Sequence, residues 1–179
     1  TAPQDGCLSA SFWVMGAAWM ATHIFEYYRF TLDTKFLADK FETMLDAAVF
    51  LIDFMIEDED GNLITCPSVS PENTFITKKG NRSAMCAGPS MDSQITRLLF
   101  KQCIKASEIL GKQNNLIIDE IKNTLTKLPS IEIGSKGQIL EWVKEYEEAE
   151  PGHRHISHLF ALYPSDEISP NATLKLAKA

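Results

Sequence analysis

The sequence predicts an all-α fold: an array of long helices arranged as a toroid of unequal hairpins. Three observations predict it. Apolar residues recur at helical spacing over four long stretches, and strand-like alternation is almost absent. No internal repeat of fixed period is visible, which disfavours a regular solenoid. The chain has 179 residues, 45% hydrophobic and 23% charged, values of a globular chain able to form one ordinary domain with a sizeable core.

The first helical pattern covers residues 8–30. Phe12, Met15, Trp19, Met20, His23, Ile24 and Tyr27 recur along it, and Gly16, Ala17 and Ala18 form a small-residue patch. The second covers residues 34–56, with Asp33 or Thr34 as candidate cap. Phe41, Met44, Leu45, Ala48, Leu51, Ile52 and Met55 make its apolar stripe; Lys40, Glu42, Asp46 and Asp53 make its polar face. A long loop follows, residues 57–89. It opens with the turn Asp60-Gly61, offers Leu63-Ile64-Thr65 as a short strand, and is stiffened by Pro67 and Pro71. Loops of this length inside a domain are usually functional or disordered. Ser90 caps a third helix over 91–110, which Gly111 ends. A fourth covers 115–127 and stops before Pro129. Residues 131–152 carry several glycines, an apolar-aromatic stretch around Trp142, and an acidic run from Glu145 to Glu150. A short helix is expected within 153–162, ending at Pro164, and a last one begins near Asn171.

A net charge of -7 argues against nucleic acid and anionic membrane surfaces as partners and suits a neutral substrate, without selecting one. No apolar run can span a bilayer: residues 47–56 are too few and Asp53 interrupts them. The four cysteines, Cys7, Cys66, Cys86 and Cys103, form no CxxC, so neither a zinc site nor a dense disulfide framework is expected. Cys66 and Cys86 flank one loop and could pair in a secreted protein; free, partly buried thiols are the plainer expectation. Asn81-Arg82-Ser83 and Asn171-Ala172-Thr173 are glycosylation sequons, which lean weakly toward secretion; localisation is otherwise unassigned.

Glu72 stands first among residues able to carry chemistry. It lies between Pro71 and Asn73 in a stiff loop, and glycoside cleavage needs a carboxylic acid held at a fixed distance from the leaving oxygen. By itself it also reads as an ordinary solvated carboxylate. Three of the four histidines, His153, His155 and His158, flank Arg154 within six residues. No further ligand stands at a telling spacing, and Arg154 opposes a cation, so no metal is expected; a polar wall for a hydroxylated ligand suits Arg and His together. Trp19, His23 and Glu26 share one helix face, as in a sugar platform or in plain core. Trp142 with Glu141 poses the same choice. Asp92, in the first turn of the third helix, suits the helix dipole.

Four stretches together resemble glycoside hydrolase family 95, the α-L-fucosidases acting on terminal 1,2-linked fucose. They are Gly16-Ala17-Ala18-Trp19 through His23, Glu26 and Tyr28; Thr65-Cys66-Pro67-Ser68-Val69-Ser70-Pro71-Glu72-Asn73; Met91-Asp92-Ser93-Gln94-Ile95; and Gly137-Gln138-Ile139-Leu140-Glu141-Trp142, followed by Gly152-His153-Arg154-His155-Ile156-Ser157-His158-Leu159. The resemblance implies an (α/α)6 barrel, an inverting exo-acting mechanism, a fucosylated oligosaccharide or glycan as partner, and no cofactor. It implies Glu72 as general acid, with Arg154 and His155 contacting the sugar and Trp19 and His23 in the pocket wall. Asn73, Asp92 and Glu141 would support the site from behind. The family's asparagine-rich element and water-activating aspartate are not found, nor are β-rich flanking domains. The expectation is therefore a single segment, residues 1–179, from inside a catalytic domain, inactive alone, with apolar faces around Trp19 and Met44 left open. An α-L-galactosidase, another (α/α)6 glycosidase, and a carbohydrate-binding helical module without catalysis are the alternatives.

Overall fold

A computed structural model describes residues 8–179. Among them the helices are α1 (Leu8–Ser11), α2 (Gly16–Thr31), α3 (Thr34–Phe54), α4 (Ser90–Ile109) and α5 (Leu116–Leu125). Seven short strands accompany them: β1 (Met55–Glu57), β2 (Leu63–Thr65), β3 (Ser68–Val69), β4 (Phe75–Ile76), β5 (Arg82–Ser83), β6 (Met85–Cys86) and β7 (Glu147–Glu148). The fold is thus helix-rich with small sheets rather than all-α. Two-residue strands are too short to display a period of two, so the sequence could not announce them. They form because a long loop must pair its own backbone groups wherever it is buried.

The chain divides into two compact units. One holds Met15–Leu63 and Ile95–Leu128; the other holds residues up to Val14, Ile64–Gln94 and Pro129–Ala179. The first unit is helical. Its α3 packs against both α2 and α5. Leu37, Phe41, Met44, Leu45, Ala48 and Leu51 on α3 are buried, following the three- and four-residue spacing of one helix face. Lys40, Glu42, Asp46 and Asp53 are exposed. Asp33 caps α3, its carboxylate accepting from the Phe36 N–H at 2.9 Å. Asn115 caps α5 by accepting from the Ile117 N–H, also at 2.9 Å. The buried Cys103 thiol donates to the Met44 carbonyl at 3.6 Å. Met44 is wholly buried and so belongs to no open face; the exposed apolar side chains of α2 and α3 are Met20, Tyr27, Phe30 and Phe50.

The second unit is built from ladders and turns. β3 pairs antiparallel with β6, Ser68 opposite Cys86 and Val69 opposite Met85. β4 is the middle strand of a three-stranded sheet, antiparallel to β5 and β7. Phe75 on β4 stacks on Tyr146 at 4.3 Å between ring centroids and meets Trp142 edge-on at 5.4 Å. Ile139, Ala161 and Ile168 make a small core with Ile131, Ile133, Leu159 and Leu176 around it. Gly88 has φ +61°, and a Cβ there would press on Ile64 and Val143 at 3.2–3.3 Å. Glycine is therefore required where this turn brings two segments together.

Several elements differ from the periodicity. The pattern over 8–30 is broken at residues 12–15, with α2 starting afresh at Gly16. The break turns the Trp13 indole to Asp92 instead of continuing the helix. In place of a helix over 153–162 there is one 3-10 turn, Ser157–Leu159. Ser157 and His158 are committed there to tertiary hydrogen bonds. Near Asn171 the Thr173 hydroxyl bonds to Ser169 and to the Glu167 carbonyl, tying a turn before a second 3-10 turn at Leu176–Lys178. Cys66, Cys86 and Cys103 are free thiols; Cys7 lies outside the described residues. Among the described residues no helix is long and apolar enough to cross a membrane.

Candidate active site

The loop over 65–73 is held from below by a buried carboxylate. Asp92, in the first turn of α4, is 1% exposed. Its Oδ2 accepts from the hydroxyls of Thr65 and Ser68 at 2.7 and 2.6 Å, and its Oδ1 from the Trp13 indole N–H at 3.1 Å. Burial pushes its carboxyl up to about 6, against these three donors, which favour the charged form. Burial likewise pushes the Cys86 thiol up to about 12, which keeps it protonated and unreactive.

A second buried carboxylate holds the far end of the loop. Glu141 Oε1 accepts from the Ser70 hydroxyl at 2.8 Å, and Oε2 from the Asn73 amide at 2.9 Å. The Asn73 N–H also donates to the Ser70 carbonyl at 2.7 Å, closing a tight turn over Pro71 and Glu72. The Pro71–Glu72 peptide bond is cis. The turn thus lifts one carboxylate out of a run whose neighbours Ser70 and Asn73 are both buried; the Glu72 side chain is 34% exposed.

Arg154 and His155 meet that carboxylate. The Arg154 guanidinium donates to Glu72 Oε2 at 2.6 Å, and His155 Nε2 lies 3.6 Å from the same oxygen. The His155 ring stacks on His153 at 5.3 Å between centroids. The string carrying them is anchored just beyond. Ser157 donates its hydroxyl to the Pro71 carbonyl, and His158 Nδ1 lies 3.3 Å from Glu141 Oε2. Gln94, wholly buried on α4, donates to the His158 carbonyl at 2.8 Å and accepts from the Ala161 N–H at 2.7 Å.

The structure therefore brings Glu72, Arg154 and His155 together, with Asn73, Glu141 and Asp92 supporting the loop. Trp19 and His23 lie on α2 in the helical unit. His23 is exposed there, its Nδ1 3.1 Å from the Trp19 carbonyl, and Glu26 pairs with Arg29 at 2.9 Å. Ser70, Ser157 and Gln94 escaped sequence reasoning. Each stands inside a recognised string, but a serine or glutamine carries no signal of its own; only a partner distant in sequence gives it a role. Among the described residues no group of three or more His, Cys, Asp or Glu could hold a metal ion.

A stiff loop presenting one carboxylate to an arginine and a histidine on a helix-rich scaffold has the parts of a glycoside-cleaving site. Residues 1–179 match the model of the glycosyl hydrolase family 95 catalytic domain, and the chain belongs to that family. It is 39% identical to alpha-L-fucosidase 2 of Arabidopsis thaliana over 180 residues, covering 100% of this chain and 21% of that protein. It is 27% identical to "Probable alpha-fucosidase A" of Aspergillus niger over 157 residues, 85% of this chain and 19% of that protein. The Aspergillus oryzae protein of the same name is 30% identical over 128 residues, 65% of this chain and 16% of its own length. The chain spans about a fifth of the length of the relative it matches in full.

Proposed function

We propose that the complete protein is an inverting exo-α-L-fucosidase that removes terminal 1,2-linked fucose from oligosaccharides or glycans, with Glu72 as general acid. The observation that carries this reading is the convergence of Arg154 and His155 on the Glu72 carboxylate, 2.6 and 3.6 Å from one oxygen. The fucosidase names of the relatives supply the sugar.

In the reaction the bond between the anomeric carbon and the glycosidic oxygen breaks. Glu72 gives its proton to the leaving oxygen, and a water adds to the anomeric carbon from the opposite face while a base takes its proton. Arg154 is 72% exposed. A surface ion pair is worth about 0–1 kcal/mol, so its guanidinium readily exchanges Glu72 for the hydroxyls of a bound sugar. The two buried carboxylates, Asp92 and Glu141, have both oxygens engaged by protein groups. They are poorly placed to take a proton from water, so the base belongs to another part of the complete protein.

The test is kinetic and stereochemical. In the complete protein, Glu72→Gln should slow hydrolysis of a 1,2-fucosyl disaccharide by about 10²–10⁴-fold with KM little changed. Proton NMR of the parent reaction should show β-L-fucose as the first product. Near-normal turnover of Glu72→Gln removes it from the acid role; α-L-fucose appearing first removes inversion. A preference for the matching α-L-galactoside would replace the sugar and leave the mechanism standing.

A further inference from the structure

Glu141 is 5% exposed, and all its neighbours in the site belong to two separate strings. Ser70 and Asn73, its two hydrogen-bond donors, stand two residues before Glu72 and one residue after it. His158, 3.3 Å from the oxygen that Asn73 also uses, follows Arg154 and His155 in the same string. One carboxylate therefore grips the acid's loop on both sides and reaches the string that bears the acid's two partners. Its own backbone is pinned as well: the Glu141 carbonyl accepts from the Ser90 N–H at 2.9 Å. Burying a carboxylate is costly even when it is paired, and an apolar side chain would fill the same space with less penalty. Stability gives no reason for the charge. Geometry does: a carboxylate offers two acceptor oxygens, so it can hold donors from both sides of the loop in one fixed relation beside His158.

We infer that Glu141 is a positioning residue, which sets the Glu72 carboxyl against the leaving oxygen by fastening Ser70 and Asn73 on either side of it, close beside His158. It touches no sugar and acts only through the loop. The inference rests on the reading of Glu72 as acid. It predicts a defect confined to the step that needs a well-placed proton.

Kinetics of the complete protein on two substrates separate this from general damage. A 1,2-fucosyl disaccharide releases an alcohol that needs protonation; a 2,4-dinitrophenyl fucoside releases a phenolate that does not. In Glu141→Gln one of the two acceptor oxygens becomes a donor, so Ser70 and Asn73 can no longer both donate to residue 141. The kcat on the disaccharide should fall about 10–100-fold, a cost typical of misplacing a reacting group. The dinitrophenyl fucoside should lose no more than about threefold, since acid assistance contributes little there. Adding Asn73→Asp to Glu141→Gln reverses donor and acceptor, restores the pairing, and should recover most of the disaccharide rate. Equal losses on both substrates, or no recovery in the double variant, overturn the inference. If Glu141→Gln fails to fold, Ser70→Ala removes a single donor and carries the same two-substrate comparison. Glu72→Gln run alongside separates the two readings: its full activity on the disaccharide overturns the acid assignment itself. An inactive Glu72→Gln beside an unaffected Glu141→Gln overturns only the positioning role.

Discussion

Asp92 is an almost wholly buried carboxylate, held by Trp13, Thr65 and Ser68 and yet pushed up to about 6 by burial. A carboxyl whose pKa is raised on folding binds its proton more tightly in the folded chain. Its favourable contribution is complete below the ordinary value near 3.8 and is lost as pH climbs to about 6. Each pH unit crossed in that window costs about 1.4 kcal/mol. Asp92→Asn should remove this slope. Its amide oxygen still accepts from Trp13, and the Thr65 and Ser68 hydroxyls can rotate to accept from the amide N–H. Urea denaturation at a series of pH values should show the variant gaining on the parent between pH 4 and 6 and staying ahead at pH 7. A constant difference across that range would mean that Asp92 does not titrate there.

At the scale of elements, the helical unit follows its sequence closely and the looped unit does not. The stripe of α3 runs unbroken through Leu37, Phe41, Met44, Leu45, Ala48 and Leu51, and Asp33 closes its start. Local rules suffice there, because burial on a helix repeats every three to four residues. Asp33→Ala should cost about 1 kcal/mol, the usual loss for an N-cap, whereas truncating the buried Phe41 to Ala should cost about 3–5 kcal/mol. Denaturation curves for both would check the pair; a cap loss as large as the core loss would give Asp33 a tertiary role. The break at residues 12–15 and the 3-10 turn at Ser157–Leu159 obey no such period. Each exists because a group there bonds to a distant segment: the Trp13 indole to Asp92, the Ser157 hydroxyl to the Pro71 carbonyl, and the His158 backbone carbonyl to the Gln94 amide.

For the whole molecule, the proposed reaction asks for more than this stretch supplies. It provides Glu72, proposed as the acid, with Arg154 and His155 beside it, while its two buried carboxylates are engaged in holding the loop. Met20 is 67% exposed and Phe30 84%, apolar surface of the kind that makes proteins associate. The 179-residue stretch, made alone, should leave a 1,2-fucosyl disaccharide intact under conditions in which the complete protein consumes it. Chromatographic detection of fucose is the measurement. A rate equal to that of the complete protein would return Asp92 and Glu141 to consideration as the base.

The sequence by itself determined four of the five helices, the Asp33 cap, the strand at Leu63–Thr65, and the strings that assign the chain to its family. Helical period, capping chemistry and motif order are local or linear properties, so they survive without coordinates. Tertiary structure decided the rest. It turned much of the long loop expected over 57–89 into ladders of two residues, because buried backbone must find partners. It also decided which polar residues cooperate: Glu72 lies 82 positions from Arg154, and Glu141 lies 71 and 68 from Ser70 and Asn73. Hydrogen bonds act over about 3 Å, and no local pattern records which distant segments the chain will bring within that reach.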